Sequence, residues 1–458
     1  MNFDFSTYPL HTGGYSRRPM TLLNPEPEAM LSAVTEIALM ETGNRSAREQ
    51  WQQTQLCNLI KHAVQRSAFW RTRIGDSRLS DIELASLPIL TRQDLRQQVD
   101  SEGPLLRAAD GIPTKAHTTS GSSGIPVRFF ISDFNSRYNV IRSIAQSFME
   151  GRDLSLNRTR VRQADAPVKN GISVERQPSW IGPLSSLITV GANKHIEFIA
   201  LYDTTLCRKL IDELRRDSIG YLVCNPRLID TLGSTFDLDF LRETKTAMWI
   251  SLGESVGPHL IEAFARLAIP IRQNYSSEEV GMIGVECMKV PGHYHVATSN
   301  VMVEIVDRRH VVGGIKLGKV LVTHLHSYAT PLIRYDLGDL ACLLERCPCG
   351  HDGATIHYLQ GRASSVIKHR DGRLSPFLIR GKDLAALAEF TEYRIRQTGF
   401  DKIVIEIGGR SKLSTDEVSA IKAFLEQRAG QEFEIEVRAC EEIDWGQSRK
   451  RLGFRCEL

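Results

Sequence analysis

A run of small hydroxyl residues and glycines at positions 118–127 is the first stretch whose residue types could do chemistry. Glycines let backbone N–H groups approach phosphate oxygens without a side-chain clash, and hydroxyl groups add further donors. The stretch lacks the Gly-Lys-Ser/Thr ending of a Walker loop, and a flexible linker has a similar composition. Both interpretations, a linker and a phosphate-binding loop, therefore stay open. The candidate phosphate ligands are Thr119, Ser120, Gly121, Ser122, Ser123 and Gly124.

A second motif, at positions 274–281, carries an aromatic residue and two acids after the apolar residues 269–271. A loop beyond a strand end is where open α/β sheets bind ligands. A carboxylate there, Glu278 or Glu279, can hold Mg²⁺, and Tyr275 can stack on a base. Taken alone, the two acids are explained more simply by a solvated loop.

A third motif, at positions 334–339, follows the apolar run 330–333. An ionised carboxylate offers two acceptor oxygens, so Asp339 at a strand end could accept hydrogen bonds from both ribose hydroxyls. The alternative is an Asx turn in a tight glycine loop.

The close pair Cys347 and Cys349 is a candidate metal motif, although it is too tight for the commonest Cys-x-x-Cys knuckle. With Cys287 and His295 it would complete a Cys₃His set, which is a closed type of structural zinc site. We expect such a zinc to clamp two loops near the candidate active site. A metal-free set of buried thiols in a hairpin loop is the alternative. The other imidazoles that could replace His295 are His293 and His351.

The elements that must position these motifs follow an alternating pattern. Residues 26–107 are predicted to be mainly helical, with Thr91 as the N-cap of one helix. In the middle of the chain, helical spacing at 206–214 and 260–267 surrounds a short apolar strand at 221–224. This alternation predicts an α/β fold.

The tail of the chain has a compact pattern of its own. Apolar alternation at 403–407 and 433–437 predicts two strands, and an apolar face at 418–425 predicts a helix between them. The chain of 458 residues exceeds one ordinary domain of roughly 100–200 residues. We therefore expect a large α/β body at 1–361 and a small, mobile α+β domain at 362–458.

The composition of the chain limits the partners and the cellular location that we expect for it. A net charge of +3 gives no support for nucleic-acid or membrane binding, so we expect neither partner. No run of about 18 apolar residues is present, and the N-terminus lacks the pattern of a signal peptide. Nine cysteines, mostly far apart, indicate a reducing, cytoplasmic location. We expect three closely spaced arginines to form a solvated or ligand-facing basic patch, and they are Arg158, Arg160 and Arg162.

Taken together and in this order, the motifs resemble those of the acyl-adenylate-forming enzymes. Residues 120–127 resemble the phosphate loop of that superfamily. Residues 251–255 resemble the segment that lies against the adenine ring in its members. Residues 275–279 are similar to its Tyr-Gly-x-Thr-Glu motif, and residues 335–339 are similar to its Tyr-x-x-Gly-Asp motif. The nucleotide-contacting residues that this implies beyond the phosphate loop are Gly253, Glu254, Ser255, Tyr275, Ser276 and Asp339.

The resemblance also implies catalytic and hinge residues. Glu279 would be the Mg²⁺ ligand, and Arg362 would begin the small C-terminal domain at the hinge. A lysine near the C-terminus normally supplies positive charge to the adenylation transition state, and Lys450 is the best positional match. Arg449 or Arg451 could act instead, and a basic tail without a catalytic role is the alternative.

Four local patterns are similar to the phenylacetate–CoA ligase branch of this superfamily. They lie at 87–95, 286–287, 294–296 and 347–350. The resemblance covers residues 87–362 well and the tail weakly.

The sequence departs from the superfamily motifs at several positions. Ser276 replaces the usual glycine, and Glu278 occupies the usual Thr/Ser position, which leaves Glu279 as the acid that aligns without a gap. Ile125 stands where many relatives have lysine, which removes one charge from the triphosphate site. The residues 363–365 replace the hinge acid, so how far the tail rotates between the two steps is in question.

The resemblance implies ATP-dependent activation of a carboxylic acid to an acyl-adenylate with release of pyrophosphate. A thiol, expected to be coenzyme A, would then displace AMP. The expected ligands are a small carboxylic acid, ATP, Mg²⁺ and coenzyme A, with structural zinc and a homodimer left open. Transfer to a carrier-protein thiol or to an amine or hydroxyl acceptor is one alternative, and a non-catalytic nucleotide-binding scaffold is another.

Overall fold

The computed structural model describes most of the chain, with short gaps. The described residues are 25–75, 83–99, 114–118, 127–164, 168–198, 203–312, 315–360, 366–371, 374–377, 379, 381–429, 433–445 and 453–458.

Helices cluster in the N-terminal and middle parts of the described chain. In chain order they are α1 (Pro25–Thr42), α2 (Arg45–Arg66), α3 (Ala68–Ile74), α4 (Arg92–Val99), α5 (Asp133–Met149), α6 (Thr204–Leu214), α7 (Pro226–Thr235), α8 (Phe240–Glu243), α9 (Pro258–Leu267), α10 (Gly381–Ala385) and α11 (Thr415–Ala429). Side-chain caps start several of them, because an oxygen at the N-cap satisfies a free backbone N–H of the first turn. Asn44, Asp203 and Asn225 provide such caps for α2, α6 and α7.

One twelve-stranded sheet forms the centre of the body. Its strands are β3 (Arg158–Gln163), β4 (Ile172–Gln177), β5 (Asn193–Phe198), β6 (Gly220–Cys224), β7 (Thr246–Ser251), β8 (Ile271–Ser277), β9 (Gly281–Glu286), β10 (His293–Val296), β11 (Val301–Val312), β12 (Ile315–His324), β13 (Tyr335–Leu344) and β14 (Thr355–Gln360). Their spatial order is β11-β12-β13-β14-β10-β9-β8-β7-β6-β3-β5-β4. A separate hairpin joins β1 (Thr114–Thr118) and β2 (Arg128–Ser132), on either side of the glycine-rich stretch.

The direction of strand pairing in the sheet changes at β8. From β5 to β8 the strands run parallel, whereas β8 pairs with β9 in the antiparallel direction and the remaining pairs toward β11 are also antiparallel. Ligands in open α/β sheets bind at such junctions, outside the carboxyl ends of the parallel strands. The carboxyl end of β8 carries Tyr275 and leads to Glu279.

Two helical layers cover the two halves of the sheet. Helices α2 and α3 pack on the antiparallel half through a core that includes Leu59, Trp70 and Tyr335. Helices α6, α7 and α9 pack on the parallel half through a core that includes Leu210 and Trp249.

The tail from β15 onward has its own hydrophobic core. A two-stranded sheet joins β15 (Val366–Lys368) and β16 (Leu374–Pro376). A four-stranded sheet follows, in the order β19-β18-β17-β20, formed by β17 (Glu392–Gly399), β18 (Lys402–Gly408), β19 (Glu434–Cys440) and β20 (Phe454–Cys456). Helix α11 connects the parallel strands β18 and β19, and its Ile421 and Leu425 join this core.

The mixed α/β architecture expected from the sequence is confirmed, including the buried strand β6, the N-cap at Thr91 and the strand–helix–strand of the tail. Strands β17 and β20 were not expected. Ile261, within the helix predicted at 260–267, is 47% exposed and so lies outside the buried face of α9. No helix within the described ranges is long and apolar enough to cross a membrane.

Candidate functional site

Glu279 lies in the turn between β8 and β9, and the residues around it hold that turn in place. The backbone N–H of Val280 donates to Ser277 Oγ at 3.2 Å, and Asn300 Nδ2 donates to the carbonyl of Val280 at 3.1 Å. Gly281 has φ +76°, a left-handed conformation that favours glycine. The turn therefore presents Glu279 in one defined position.

The carboxylate of Glu279 is buried and paired, while its neighbour Glu278 is exposed. Arg92 Nη2 donates to Glu279 Oε1 at 2.8 Å, and the Tyr335 hydroxyl donates to the same oxygen at 3.3 Å. Burial, together with the negative charge of Glu279, raises the pKa of Tyr335, so its hydroxyl keeps its proton. Within the described chain both hydrogen bonds end on Oε1, which leaves Oε2 available to a cation.

The segment before α4 brings Arg92 to this carboxylate. Thr91 and Asp94 form a reciprocal capping pair, because Asp94 N donates to Thr91 Oγ1 at 3.1 Å and Thr91 N donates to Asp94 Oδ2 at 2.8 Å. The N–H of Leu90 donates to the carbonyl of Arg334 at 3.1 Å, directly before β13. The segment thus docks on the strand that carries Tyr335.

Tyr275 and Asp339, which come from the second and third sequence motifs, lie against each other. The Tyr275 hydroxyl donates to Asp339 Oδ2 at 2.6 Å, and both side chains are buried. Asp336 Oδ1 accepts from the N–H of Gly338 at 2.9 Å, and Gly338 has φ +81°. Both residues lie within β13, where the pairing with β12 shifts register between Asp336 and Leu340, so this hydrogen bond marks a bulge in the strand. Asp339 therefore lies inside β13 and not at the strand end that the sequence predicted.

The residues 253–255 follow the carboxyl end of β7. Gln273 on β8 connects this loop to the sheet, since its Oε1 accepts from Val256 N at 3.0 Å and its Nε2 donates to both oxygens of Glu286 at 3.1 Å. Gly253 has φ +82°, whereas Glu254 and Ser255 are exposed. The loop is therefore anchored at its base and open to solvent at its tip.

Several of the predicted site residues lie outside the described residues. They are Thr119, Ser120, Gly121, Ser122, Ser123, Gly124, Arg362 and Lys450. Strands β1 and β2 border the first six of these on either side.

The structure brings the four predicted metal ligands together. One ligand atom from each of Cys287, His295, Cys347 and Cys349 lies within 4.8 Å of every other. Cys287 follows β9, His295 lies on β10, and the other two cysteines occupy the turn between β13 and β14. The rival His351 stacks on His295 with ring centroids 4.2 Å apart.

Local hydrogen bonds and a neutral imidazole favour ligation at this cluster, whereas burial raises the pKa of Cys347 to about 12. The N–H of Lys289 donates to Cys287 Sγ, and that of His351 donates to Cys349 Sγ, both at 3.4 Å. Burial and repulsion by neighbouring cations lower the pKa of His295 to about 4, so a neutral ring nitrogen is available. Burial opposes ionisation of Cys349, but the His351 N–H and the neighbouring thiols outweigh it and lower its pKa. Three thiols and one imidazole are the donor set that zinc prefers.

The cluster lies at the far end of β9 from Glu279. Six strand residues at about 3.3 Å each separate the two sites by roughly 20 Å. Glu286, which precedes Cys287, accepts from Gln273, the residue that anchors the 253–255 loop. The expected position of the zinc near the active site therefore stays a prediction.

Four positioning residues were not identified in the sequence. Arg92, Tyr335, Asn300 and Gln273 each bond to a predicted site residue or to its loop. Arg92 and Tyr335 lie within patterns that carry the family resemblance, which is a signal that could have found them. Asn300 and Gln273 have no such signal, because only the packing of β8, β9 and the turn before β11 brings them to these loops.

Three solved structures of 2-hydroxyisobutyryl-CoA ligase resemble this chain. The ligase in the postadenylation state with R3-HIB-AMP is 16% identical, with a TM-score of 0.57 and 91% of each chain covered. The open conformation with 2-HIB-AMP and CoA is 18% identical, with a TM-score of 0.54, and covers 88% of this chain and 90% of that one. The thioesterification state with the same ligands is 17% identical, with a TM-score of 0.55, and covers 90% and 91%.

No family model and no curated protein sequence matches the chain. Similarity at 16–18% identity over about nine tenths of both chains establishes a shared fold and not a shared substrate. The chain therefore has the fold of the acyl-AMP-forming CoA ligases.

Proposed function

We propose that the protein activates a carboxylic acid with ATP and transfers the acyl group to a thiol, as an AMP-forming acid–CoA ligase. The observation that carries this proposal is the buried pair of motifs at the sheet junction. Glu279, paired with Arg92 and Tyr335, lies beside the bonded residues Tyr275 and Asp339 in a fold shared with acyl-AMP-forming CoA ligases.

In the first step the substrate carboxylate attacks the α-phosphorus of ATP, and pyrophosphate leaves. Asp339 is suited to accept hydrogen bonds from the ribose, and Tyr275 is suited to lie against the base. The 119–124 stretch, which lies outside the described residues, would donate N–H and hydroxyl groups to the phosphates. Positioning and charge neutralisation supply most of the rate enhancement in such a reaction.

Glu279 is the residue that would hold Mg²⁺. Its free Oε2 fits a hard cation that prefers oxygen ligands. A bound Mg²⁺ would supply positive charge to the phosphate oxygens. Arg92 pairs with the carboxylate at 2.8 Å and so fixes its orientation.

In the second step a thiol displaces AMP from the acyl-adenylate. Coenzyme A is the thiol we propose, because the solved structures with this fold include two complexes with CoA. The phenylacetate–CoA ligase branch is the subtype we propose, on the four local sequence patterns that include the Cys347 and Cys349 turn.

The tail from residue 362 is proposed to be a separate domain that carries Lys450 and hinges at Arg362. Its own core, built from residues such as Ile405, Ile421 and Phe454, supports this division, since a unit with its own core can move as a body.

The Cys287, His295, Cys347 and Cys349 cluster is proposed to bind structural zinc. A full set of four protein donors leaves no open position for a substrate. Zinc here would tie the β9–β10 hairpin to the turn after β13, and so hold together the strands that lead to Glu279 and Asp339.

ATP–pyrophosphate exchange with a panel of carboxylic acids tests the first step without any thiol. Exchange with at least one acid is expected, and its absence with every acid would favour a non-catalytic nucleotide-binding protein. With the active acid identified, coenzyme A, a carrier protein, and amine or hydroxyl acceptors are compared for AMP release. Release that requires an acceptor other than coenzyme A would overturn the CoA assignment.

A further inference from the structure

The arginine-rich strand β3 carries its three guanidinium groups on one face. Arg158, Arg160 and Arg162 alternate with Thr159 and Val161, which are both buried toward the core under α6, α7 and α9. Successive side chains of a strand point to opposite faces, so the three arginines project from the side of the sheet away from that core. We call Arg158, Arg160 and Arg162 the arginine face.

The protein itself neutralises little of this charge. Arg162 pairs with Glu197 at 2.5 Å, and Arg158 Nε donates to the neutral Asn193 at 3.1 Å. Arg160 has no ion pair or hydrogen bond within the described chain. The residue opposite Arg160 on β5 is His195, which adds no acceptor charge.

The arrangement has an electrostatic cost. Desolvation and repulsion by Arg160 lower the pKa of Arg158 to about 10. The pKa of Arg160 is lowered for the same kind of reason, by desolvation and by Arg162, although its side chain still reaches solvent. Glu175 and Glu197 also face His195, whose pKa is nevertheless lowered by desolvation and by the two arginines next to it. An anion between these guanidinium groups would relieve the repulsion.

The arginine face adjoins the proposed adenylate site. Strand β3 is parallel to β6, and β6 is parallel to β7, so their carboxyl ends share one edge of the sheet. Two strand spacings of about 4.8 Å place β3 roughly 10 Å from β7, whose carboxyl end leads to the 253–255 loop. An acid joined to an adenylate at that loop, and extending along the sheet across β6, reaches β3 with its far end.

A buried apolar cluster lies between the two. Arg160 is in register with Val223 on β6, and Val223 is in register with Ile250 on β7. Val223 and Ile250 form a small cluster with Tyr221, to which Met248 and Leu252 add partly buried surface. This part of the sheet is thus apolar between the 253–255 loop and the arginine face, with Leu156 and Trp180 also packed against it.

We propose that the arginine face binds a second anionic group on the carboxylic acid that the enzyme activates, so that the preferred substrate is a dianionic acid with an apolar middle. This inference rests on the proposed acid activation. A planar guanidinium donates two parallel hydrogen bonds to a carboxylate or phosphate, and among the described residues none occupies the guanidinium of Arg160. Arg158, which lies 5.3 Å from the ring of Trp180, would fix one wall of the same site.

The test compares paired acids of equal length in ATP–pyrophosphate exchange without thiol. One member of each pair has a methyl group at the far end, and the other has a carboxylate or phosphonate there. The wild-type protein is expected to prefer the dianionic member, with a kcat/KM higher by about tenfold or more. Arg160→Gln should remove that preference while leaving exchange with the monoanionic acid unchanged.

Two variants control for folding and for charge alone. Arg160→Lys keeps the charge and loses the planar fork, so it should retain part of the preference. Arg215→Gln removes an exposed arginine that pairs with exposed Glu243, and it should not change the kcat/KM for either acid. Thermal unfolding of all three variants shows whether the fold is intact.

The outcomes separate this inference from the proposed function. No exchange with any acid by the wild-type protein defeats the proposed function and the inference together. Exchange that favours the monoanionic acids, or a dianion preference that survives Arg160→Gln, defeats the inference alone. Arg160→Gln could instead lower the rate of the thiol step alone, with coenzyme A but not with dephospho-coenzyme A. That result would assign the arginine face to the phosphate that dephospho-coenzyme A lacks, and it would also defeat the inference.

Discussion

Replacing Glu279 with glutamine removes one charge from a buried cluster and leaves its shape. The Glu279 side chain is 1% exposed and its partner Arg92 is 17% exposed, with 2.8 Å between Nη2 and Oε1. Glutamine keeps an oxygen that can accept from Arg92 and Tyr335, so the hydrogen bonds can persist. The adjacent Glu278 is exposed, which makes Glu278→Gln a matched control one residue away.

Glu279→Gln is expected to lower both the stability of the protein and its activity, for different reasons. Loss of one partner of a buried ion pair costs about 3–5 kcal/mol, but the retained hydrogen bonds should reduce the loss in Glu279→Gln to about 1–3 kcal/mol. Loss of the carboxylate for Mg²⁺ should lower pyrophosphate exchange by about 10²-fold or more, which corresponds to about 2.7 kcal/mol of barrier. Glu278→Gln should change neither quantity by a measurable amount.

The assay is pyrophosphate exchange at saturating ATP over a series of Mg²⁺ concentrations, at a temperature well below the melting transition of each variant. Glu279→Gln should require more Mg²⁺ and reach a lower plateau. Near-normal exchange in a folded Glu279→Gln protein, with exchange abolished in Glu278→Gln, would refute the assignment and place the metal carboxylate one residue earlier.

Three other predictions concern the ribose, the zinc and the tail. Asp339→Ala should weaken AMP binding by about 1.5–3 kcal/mol, because the hydroxyls lose a charged acceptor, and unchanged affinity by calorimetry would remove Asp339 from this role. Cys347→Ser with Cys349→Ser should release one equivalent of zinc and lower the melting temperature, whereas Cys440→Ser should do neither. Elemental analysis that finds no zinc in protein purified without chelator would show the cluster to be metal-free. Lys450→Ala should abolish pyrophosphate exchange yet retain thiol transfer from a synthetic acyl-adenylate, since a lysine delivered by a closing domain serves only the first step. Equal loss in both steps would instead indicate a folding defect or a general phosphate contact, and no loss in either would remove Lys450 from the mechanism.

Local patterns were sufficient to predict much of the fold. Residue spacing predicted α6, β6, α9 and the strand–helix–strand of the tail, because hydrophobic periodicity depends on neighbours a few positions apart. It missed β17 and β20, since β20 has only three residues and pairs with β17 across more than 50 positions.

For the candidate site too, some features followed from local sequence patterns and others only from the tertiary structure. The sequence by itself determined which residues could do chemistry, because the motifs around Glu279, Asp339 and Cys347 are local and specific in type. Only the tertiary structure decided what these residues meet: the buried ion pair of Glu279 with Arg92 spans 187 positions, and the hydrogen bond of Tyr275 with Asp339 spans 64. Such contacts depend on the order of strands in the sheet, which no local pattern encodes. For the same reason only the sheet register could show that Arg160 of β3 lies beside the apolar residues Val223 and Ile250 of the neighbouring strands.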